Sequence, residues 1–329
     1  MDSTVRHRYS PANLEDVRTY SVNDRSTKVR RESFLAPTAV NPSLLEFLES
    51  LPQVLKADDL RAVVDSIVRA HRIGKPVVLG IGGHVVKCGL APLIIDLMER
   101  GIVAAVAMNG GASIHDFEVA TLGTTSEDVA ASLESGMFGM VQETGESMNA
   151  AIVAGSERGL GMGAALGAAL VQNQAPYLDQ SLLAAGIRLN LPVLVYAVIG
   201  ADTIHMHAGA NGAAIGQTSY LDFRLLVSVL KDLGNGGVYL NIGSSVVLPE
   251  VFLKALNLAR NLSSDPVENF TAVNMDMLQS YRPLENVVRR PTQKAKGSGY
   301  YLTGHHEIMV PLVFQLVLAK LEAEGAQAQ

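Results

Sequence analysis

From about residue 43 onward, apolar positions follow two alternating rhythms. In "SLLEFLESL" (43–51) and "LRAVVDSIVRAHR" (60–72) they recur every three to four residues, the spacing of a helix with one buried face. "KPVVLGI" (75–81) breaks that rhythm with a short β-branched run ending in glycine, which predicts a strand. "KCGLAPLIIDLMERG" (87–101) returns to helical spacing and stops at Gly101, "IVAAVAM" (102–108) is a second strand, and "IHDFEVATLG" (114–123) and "AASLESGMF" (130–138) read as helices. "GLGMGAALGAALV" (159–171) spaces Gly and Ala like a helix pressed against a neighbour. The alternation continues through a helix at 177–190, a strand at 191–199, a helix at 220–234, a strand at 237–243 and a helix at 247–260. A strand at 270–275 follows, then a polar loop carrying "RRPTQKAKGSG", "YYLTG", and a last helix from His306 to Ala323.

The strands are apolar almost throughout rather than alternating, so both of their faces must be covered. Strands of that kind separated by helices of ten to fifteen residues predict a parallel sheet with helices on both faces, a Rossmann-like α/β fold. No internal repeat and no second core is apparent, so residues 43–329 are expected to form a single domain. Residues 1–42 differ. They mix Arg, Ser, Asn and Asp with few clustered apolar positions, which predicts an extended N-terminal arm.

Composition narrows the function classes. The 329 residues are 48% hydrophobic and 18% charged with a formal net charge of -6, an ordinary globular balance. That mild acidity argues against nucleic acid as a partner, and the absence of Trp argues against a base-stacking platform. The longest weakly polar stretch, 159–171, is too short to span a bilayer, and "MDSTVRHRYS" lacks the apolar centre of a secretory signal. No membrane association and a cytoplasmic location are expected. The single cysteine, Cys88, allows no disulfide within the chain and lies in an apolar helical pattern.

In a parallel sheet of this kind, ligands bind beyond the carboxyl ends of the strands. The segments there are "GIGGHVV" (80–86), "NGGASIHD" (109–116), "GADTIHMHAGANG" (200–212), "NIGSSVVLP" (241–249), "NMDMLQ" (274–279) and "TGHHEI" (303–308). Five of the six contain glycine, which allows close backbone approach, and helix N-termini follow with free N–H groups suited to phosphate. A nucleotide or dinucleotide is the natural occupant. "GIGGHV" keeps Gly80 and Gly82 of the dinucleotide fingerprint G-x-G-x-x-G but carries Val85 at the third glycine. Six of the eight histidines, His84, His115, His205, His207, His305 and His306, fall in these segments. His205 and His207 could share a cation with Asp116 or Asp202, but no H-E-x-x-H, C-x-x-C or Asp-rich metal motif accompanies them.

At these turns the sequence resembles the deoxyhypusine synthase family, which makes an unusual lysine derivative from spermidine using NAD. The likeness spans roughly residues 45 to 322 and rests on four stretches: "NGGASIHDFEVATLG", "LPVLVYAVIGAD", "GGVYLNIGSSVVLPEVFLKAL", and "FTAVNM" with "YYLTGHHEIMVPLVFQLVLAKL". The resemblance implies NAD as cofactor, a homo-oligomer (a tetramer) and a small-molecule amine substrate. It implies cofactor contacts at Gly82, Gly83, His84, Gly110, Gly111, Asp202, Gly243, Ser244, Ser245, Asn274, His305, His306 and Glu307.

One departure is decisive for the chemistry. In that family a lysine follows the Gly-rich turn and forms an imine with the aminobutyl group. Aligning the turn places it at Leu248 or a direct neighbour, and Leu is no nucleophile. Lys254 lies six residues on, about 240° around the helix. Aminobutyl transfer through an enzyme–lysine imine is therefore not expected. Oxidation of an amine to an imine by hydride transfer is, with His115 or His205 as general base and Asp116 beside them. The carboxylates available to balance an amine are Asp116, Glu118, Asp202, Asp276 and Glu307. Two alternatives stay open: a non-catalytic ligand-binding or oligomeric protein of the same fold, and a metal-dependent hydrolase of a guanidino or amide compound.

Overall fold

The computed structural model describes residues 18, 21, 24, 43–294 and 296–327. The arm expected over 1–42 lies outside the described residues apart from those three positions. Two helices, α1 (Leu44–Ser50) and α2 (Leu55–Arg72), lead into strand β1 (Val77–Ile81). Then come α3 (Gly83–Lys87), α4 (Ala91–Glu99), β2 (Ala105–Asn109), α5 (Gly110–Leu122), α6 (Val129–Leu133), α7 (Gln142–Glu157), α8 (Met162–Gln172), α9 (Leu182–Leu189) and β3 (Val193–Tyr196). A 3₁₀ turn, Thr203–Met206, precedes α10 (Gly212–Lys231), β4 (Val238–Ile242), α11 (Val247–Leu262) and β5 (Thr271–Asp276). The chain closes with α12 (Tyr281–Pro283), a π-helix (Leu284–Arg289), β6 (Ser298–Thr303) and α13 (His306–Gln327).

All six strands are parallel, in the order β3-β2-β1-β4-β5-β6. The order reverses between β1 and β4, and the crevice beyond their carboxyl ends is where such sheets bind ligands. The apolar runs have two-sided burial as their cause. Val77, Leu79 and Ile81 of β1 face one core with Ile67, Ile94 and Phe314, while Val78 faces a second with Tyr239, Phe252 and Leu256. At Gly80 the second core leaves no room for a side chain. A Cβ there would lie 2.4 Å from Tyr239 Oη and 3.0 Å from Leu248 Cδ1. No helix among the described residues is long and apolar enough to cross a membrane.

Several segments differ from the sequence expectation. The helix expected over 130–138 shortens to α6, and the substantial helix α7 follows it unforeseen. The buried side of α7 is Thr144, Gly145, Met148, Asn149, Ala151, Ile152 and Gly155, so its inward stripe is small and partly polar and hydrophobic periodicity does not register it. Helix α10 begins at Gly212 rather than 220, where the Asn211 side chain caps the N–H groups of Ala213 and Ala214. The Gly/Ala helix α8 does press against neighbours. A Cβ at Gly163 would stand 1.8 Å from the Val193 carbonyl oxygen, and one at Gly167 2.4 Å from that of Leu183.

Candidate functional site at the carboxyl edge of the sheet

At the β1/β4 reversal the backbone turns are in direct contact. The Gly82 N–H donates to the Ile242 carbonyl at 2.9 Å, and a Cβ on Gly82 would lie 2.0 Å from the Gly243 oxygen. Gly243 has φ +67° and lies over the His306 ring, with a Cβ there 2.8 Å from Nε2. These two glycines are therefore required by close approach and by a left-handed backbone. Ser244 Oγ accepts from the Leu248 N–H at 3.1 Å. Ser245 stays exposed at the head of the 16-residue α11, its hydroxyl donating to Asp276 Oδ2 at 3.2 Å.

Asn241 Oδ1 is buried here without a partner. Asn241 Nδ2 donates to the Ser244 carbonyl and to Asn274 Oδ1, so the two amides form one rigid pair beneath the turn. His306 is 1% exposed, with Nε2 3.9 Å from Asp276 Oδ1 and its ring 5.7 Å from that of His84. Burial lowers its pKa, against an opposing pull from Asp276. His305 and Glu307 are exposed beside it, 3.9 Å apart.

A second cluster lies beyond β2 and β3. The carboxylate of Asp202 lies on Gly110, where a Cβ would be 2.0 Å from Oδ2, and that oxygen accepts from the Val198 N–H at 2.8 Å. Asp202 is 9% exposed, and burial raises its pKa. Next to it a cavity of about 230 Å³ opens between α5, α7 and the loop joining them, bordered by Lys87, His115, Glu118, Glu127, Asp202 and His207.

Hydrogen bonds within this wall fix the state of His115. Thr125 Oγ1 donates to Glu118 Oε2 at 2.5 Å, and Thr144 Oγ1 donates to Glu118 Oε1 at 3.1 Å. A carboxylate only accepts, so the single Thr125 proton is committed. His115 Nδ1, 2.7 Å from Thr125 Oγ1, must then be the N–H donor. Nε2 is left with the lone pair. Burial, with Lys87 and His84 adding repulsion, lowers the pKa of this imidazole to about 4. It is uncharged at neutral pH.

The two clusters are contiguous. A Cβ on Gly83 would lie 3.1 Å from His115 Cδ2 and 3.4 Å from the Gly111 carbonyl carbon. The structure thus gathers Gly82, Gly83, His84, Gly110, Gly111, His115, Asp202, Gly243, Ser244, Ser245, Asn274 and His306 along one edge.

Other anticipated residues are placed elsewhere. Asp116, expected beside His115, points into the core from another face of α5. It accepts from Ser181 Oγ at 2.6 Å and from the N–H groups of Leu182 and Leu183, holding the start of α9. Burial, opposed by those bonds, pushes its pKa up to about 6. His205 does not border the cavity, and both its ring nitrogens are buried without partners. His207 does border it, with Nε2 2.9 Å from the Gly139 carbonyl. Among the described residues no group of three His, Cys, Asp or Glu side chains is placed to hold a metal ion. Leu248 is 0% exposed in the second core, so the position aligned with the family's lysine faces the sheet and not the edge. Lys254 is an exposed helix residue paired with Glu250. Sequence reasoning missed Lys87, Thr125, Glu127 and Thr144, because their loops and helices give no local sign of converging on α5.

No family model matches the sequence, and no curated protein matches it. Solved structures do superpose on it. The structure described as that of a "putative deoxyhypusine synthase" from Entamoeba histolytica aligns with a TM-score of 0.50 at 12% identity, covering 84% of this chain and 94% of that one. The ternary complex of AgrE with ornithine and NAD+ aligns with a TM-score of 0.51 at 13% identity, covering 84% of this chain. This chain spans only 35% of the AgrE chain. The relationship these superpositions carry is one of fold: an α/β domain with a parallel six-stranded sheet between helical layers, of the kind found in deoxyhypusine synthase-like proteins.

Proposed function

We propose that this chain is an NAD-dependent enzyme that oxidises a small amine to an imine. The observation that carries the reading is the joining of two features on one sheet edge: a glycine-lined turn pair at the strand-order reversal, and a carboxylate-walled cavity holding an uncharged histidine. The first suits a dinucleotide. Gly82 and Gly243 let the backbone come close, and the exposed Ser245 hydroxyl at the head of α11 offers a polar contact beside that turn. Binding of NAD by an AgrE complex of related fold supports this choice.

NAD held at these turns would supply a hydride acceptor for the carbon bearing the nitrogen. The side chains do the rest. Glu118, Glu127 and Asp202 outnumber Lys87 around the cavity and favour a cationic amine there. His115 Nε2 takes the proton released from the ammonium as the C=N bond forms, while the Thr125–Glu118 chain holds the ring in the required tautomer. Leu248, sealed in the core, supplies no covalent handle, so the substrate's carbon skeleton stays off the enzyme. Incubating the protein with NAD and a panel of diamines, polyamines and amino acids tests this. Amine-dependent appearance of reduced nicotinamide absorbance is expected, and none with any amine would overturn the reading.

A further inference from the structure

A second cavity lies away from the carboxyl edge. It is a groove of about 870 Å³ on the amino half of the sheet, beside the edge strand β3, where the two helical layers part. Its limits show this. They include the first residues of β3, the second half of α10 from Tyr220 to Lys231, the start of α8 and the end of α11. Its volume falls within the range of small-molecule sites.

The walls are strongly biased. Leu183, Leu194, Leu225, Leu258 and Leu262 make an apolar surface, and Leu225 and Leu262 remain 44% and 56% exposed. The strand edge itself offers nothing to pair with. Asp222 Oδ2 already accepts from the N–H groups of Val195 and Gly163, and Ser219 bridges the Val195 carbonyl and the Ala197 N–H. A β-strand partner is thereby excluded from that stretch of edge.

The exposed charges at the groove are both positive. Arg224, Ser228 and Lys231 stand four and three residues apart on α10, so they form one stripe along the groove. Among the described residues neither Arg224 nor Lys231 has an ion-pair partner. The one carboxylate of the wall, Asp222, is 1% exposed and spent on backbone donors. A leucine-lined trough with two unpaired cations and no free anion complements a molecule with an apolar body and an anionic end. We propose that this groove binds an amphipathic carboxylate, such as a medium-chain fatty acid. The tail lies against the leucines, and the carboxylate meets Arg224 and Lys231. The site is separate from the carboxyl edge and does not depend on the amine-oxidation reading.

Calorimetric titration with dodecanoate below its micelle concentration tests the proposal. One saturable site per chain is expected. Dodecyltrimethylammonium, with the same tail and opposite charge, is expected to bind at least about tenfold more weakly. The double variant R224E/K231E, at exposed positions, is expected to lose dodecanoate affinity by a similar factor with an unchanged melting temperature. L225E is expected to weaken it through the apolar wall. No saturable binding, or equal affinity for the two detergent charges, overturns the proposal. So does conversion of an oligomer to monomers by L225E without dodecanoate binding to the wild type, which would make the groove an interface between copies.

Discussion

At the scale of single residues, the site turns on the hydrogen bonds of His115. Its Nδ1 is committed through Thr125 to Glu118, which is what leaves Nε2 as an acceptor. Its helix neighbour Asp116 could never have shared the task. Consecutive helix residues point about 100° apart, so a cleft-facing His115 turns Asp116 toward the core. The expectation that Asp116 would stand beside His115 in the site fails on this spacing. The partnership with Thr125 was not legible in the sequence, since it depends on how a loop folds back. The lowered pKa has a consequence for stability. The folded pKa is about 4 against an ordinary 6.5, so as pH falls below 6.5 the unfolded chain takes up the proton first. The contribution of His115 to stability is present above 6.5 and is lost as pH falls through about 4. Urea unfolding of wild type and His115→Gln at pH 7 and pH 4.5 is expected to show a smaller loss for the variant. Under the proposed function, the same variant is expected to abolish NAD-dependent amine oxidation at every pH.

At the scale of elements, β1 to β5 were legible because they are buried on both faces and read as short apolar runs. Helix α7 was not, since Thr144, Gly145, Asn149 and Gly155 form its inward side. The hold of α10 on the sheet edge was also invisible, because Asp222 reads as one polar residue in an amphipathic helix. In the fold it ties α8 and β3 together through Gly163 and Val195. Asp222→Ala leaves two buried N–H groups without an acceptor, and a loss of about 2–4 kcal/mol is expected in chemical denaturation. Burial pushes the pKa of Asp222 up to about 7 from 3.8. A raised folded pKa gives a contribution that is complete below 3.8 and lost as pH rises through about 7. Asp222→Asn, which keeps one acceptor and cannot ionise, is therefore expected to compare better with wild type at pH 8 than at pH 5. Equal differences at the two pH values would contradict a raised pKa.

At the scale of the whole molecule, the order β3-β2-β1-β4-β5-β6 brings turns that are 160 residues apart in sequence, Gly82–Gly83 and Gly243–Ser245, into one crevice. Sequence pattern reached the fold class and this edge, because a parallel sheet dictates both. It did not reach the strand order, which no local signal encodes. It also did not reach the groove beside β3, whose leucines read as ordinary core. The central claim is that the crevice holds NAD. A fluorescence titration with NADH tests it most directly, and the absence of Trp keeps protein emission from competing. Saturable enhancement with one NADH per chain is expected, weakened about tenfold or more by Ser245→Glu, which sets a carboxylate at the head of α11 where phosphate would lie. No saturable enhancement, or binding that Ser245→Glu leaves unchanged, would contradict it.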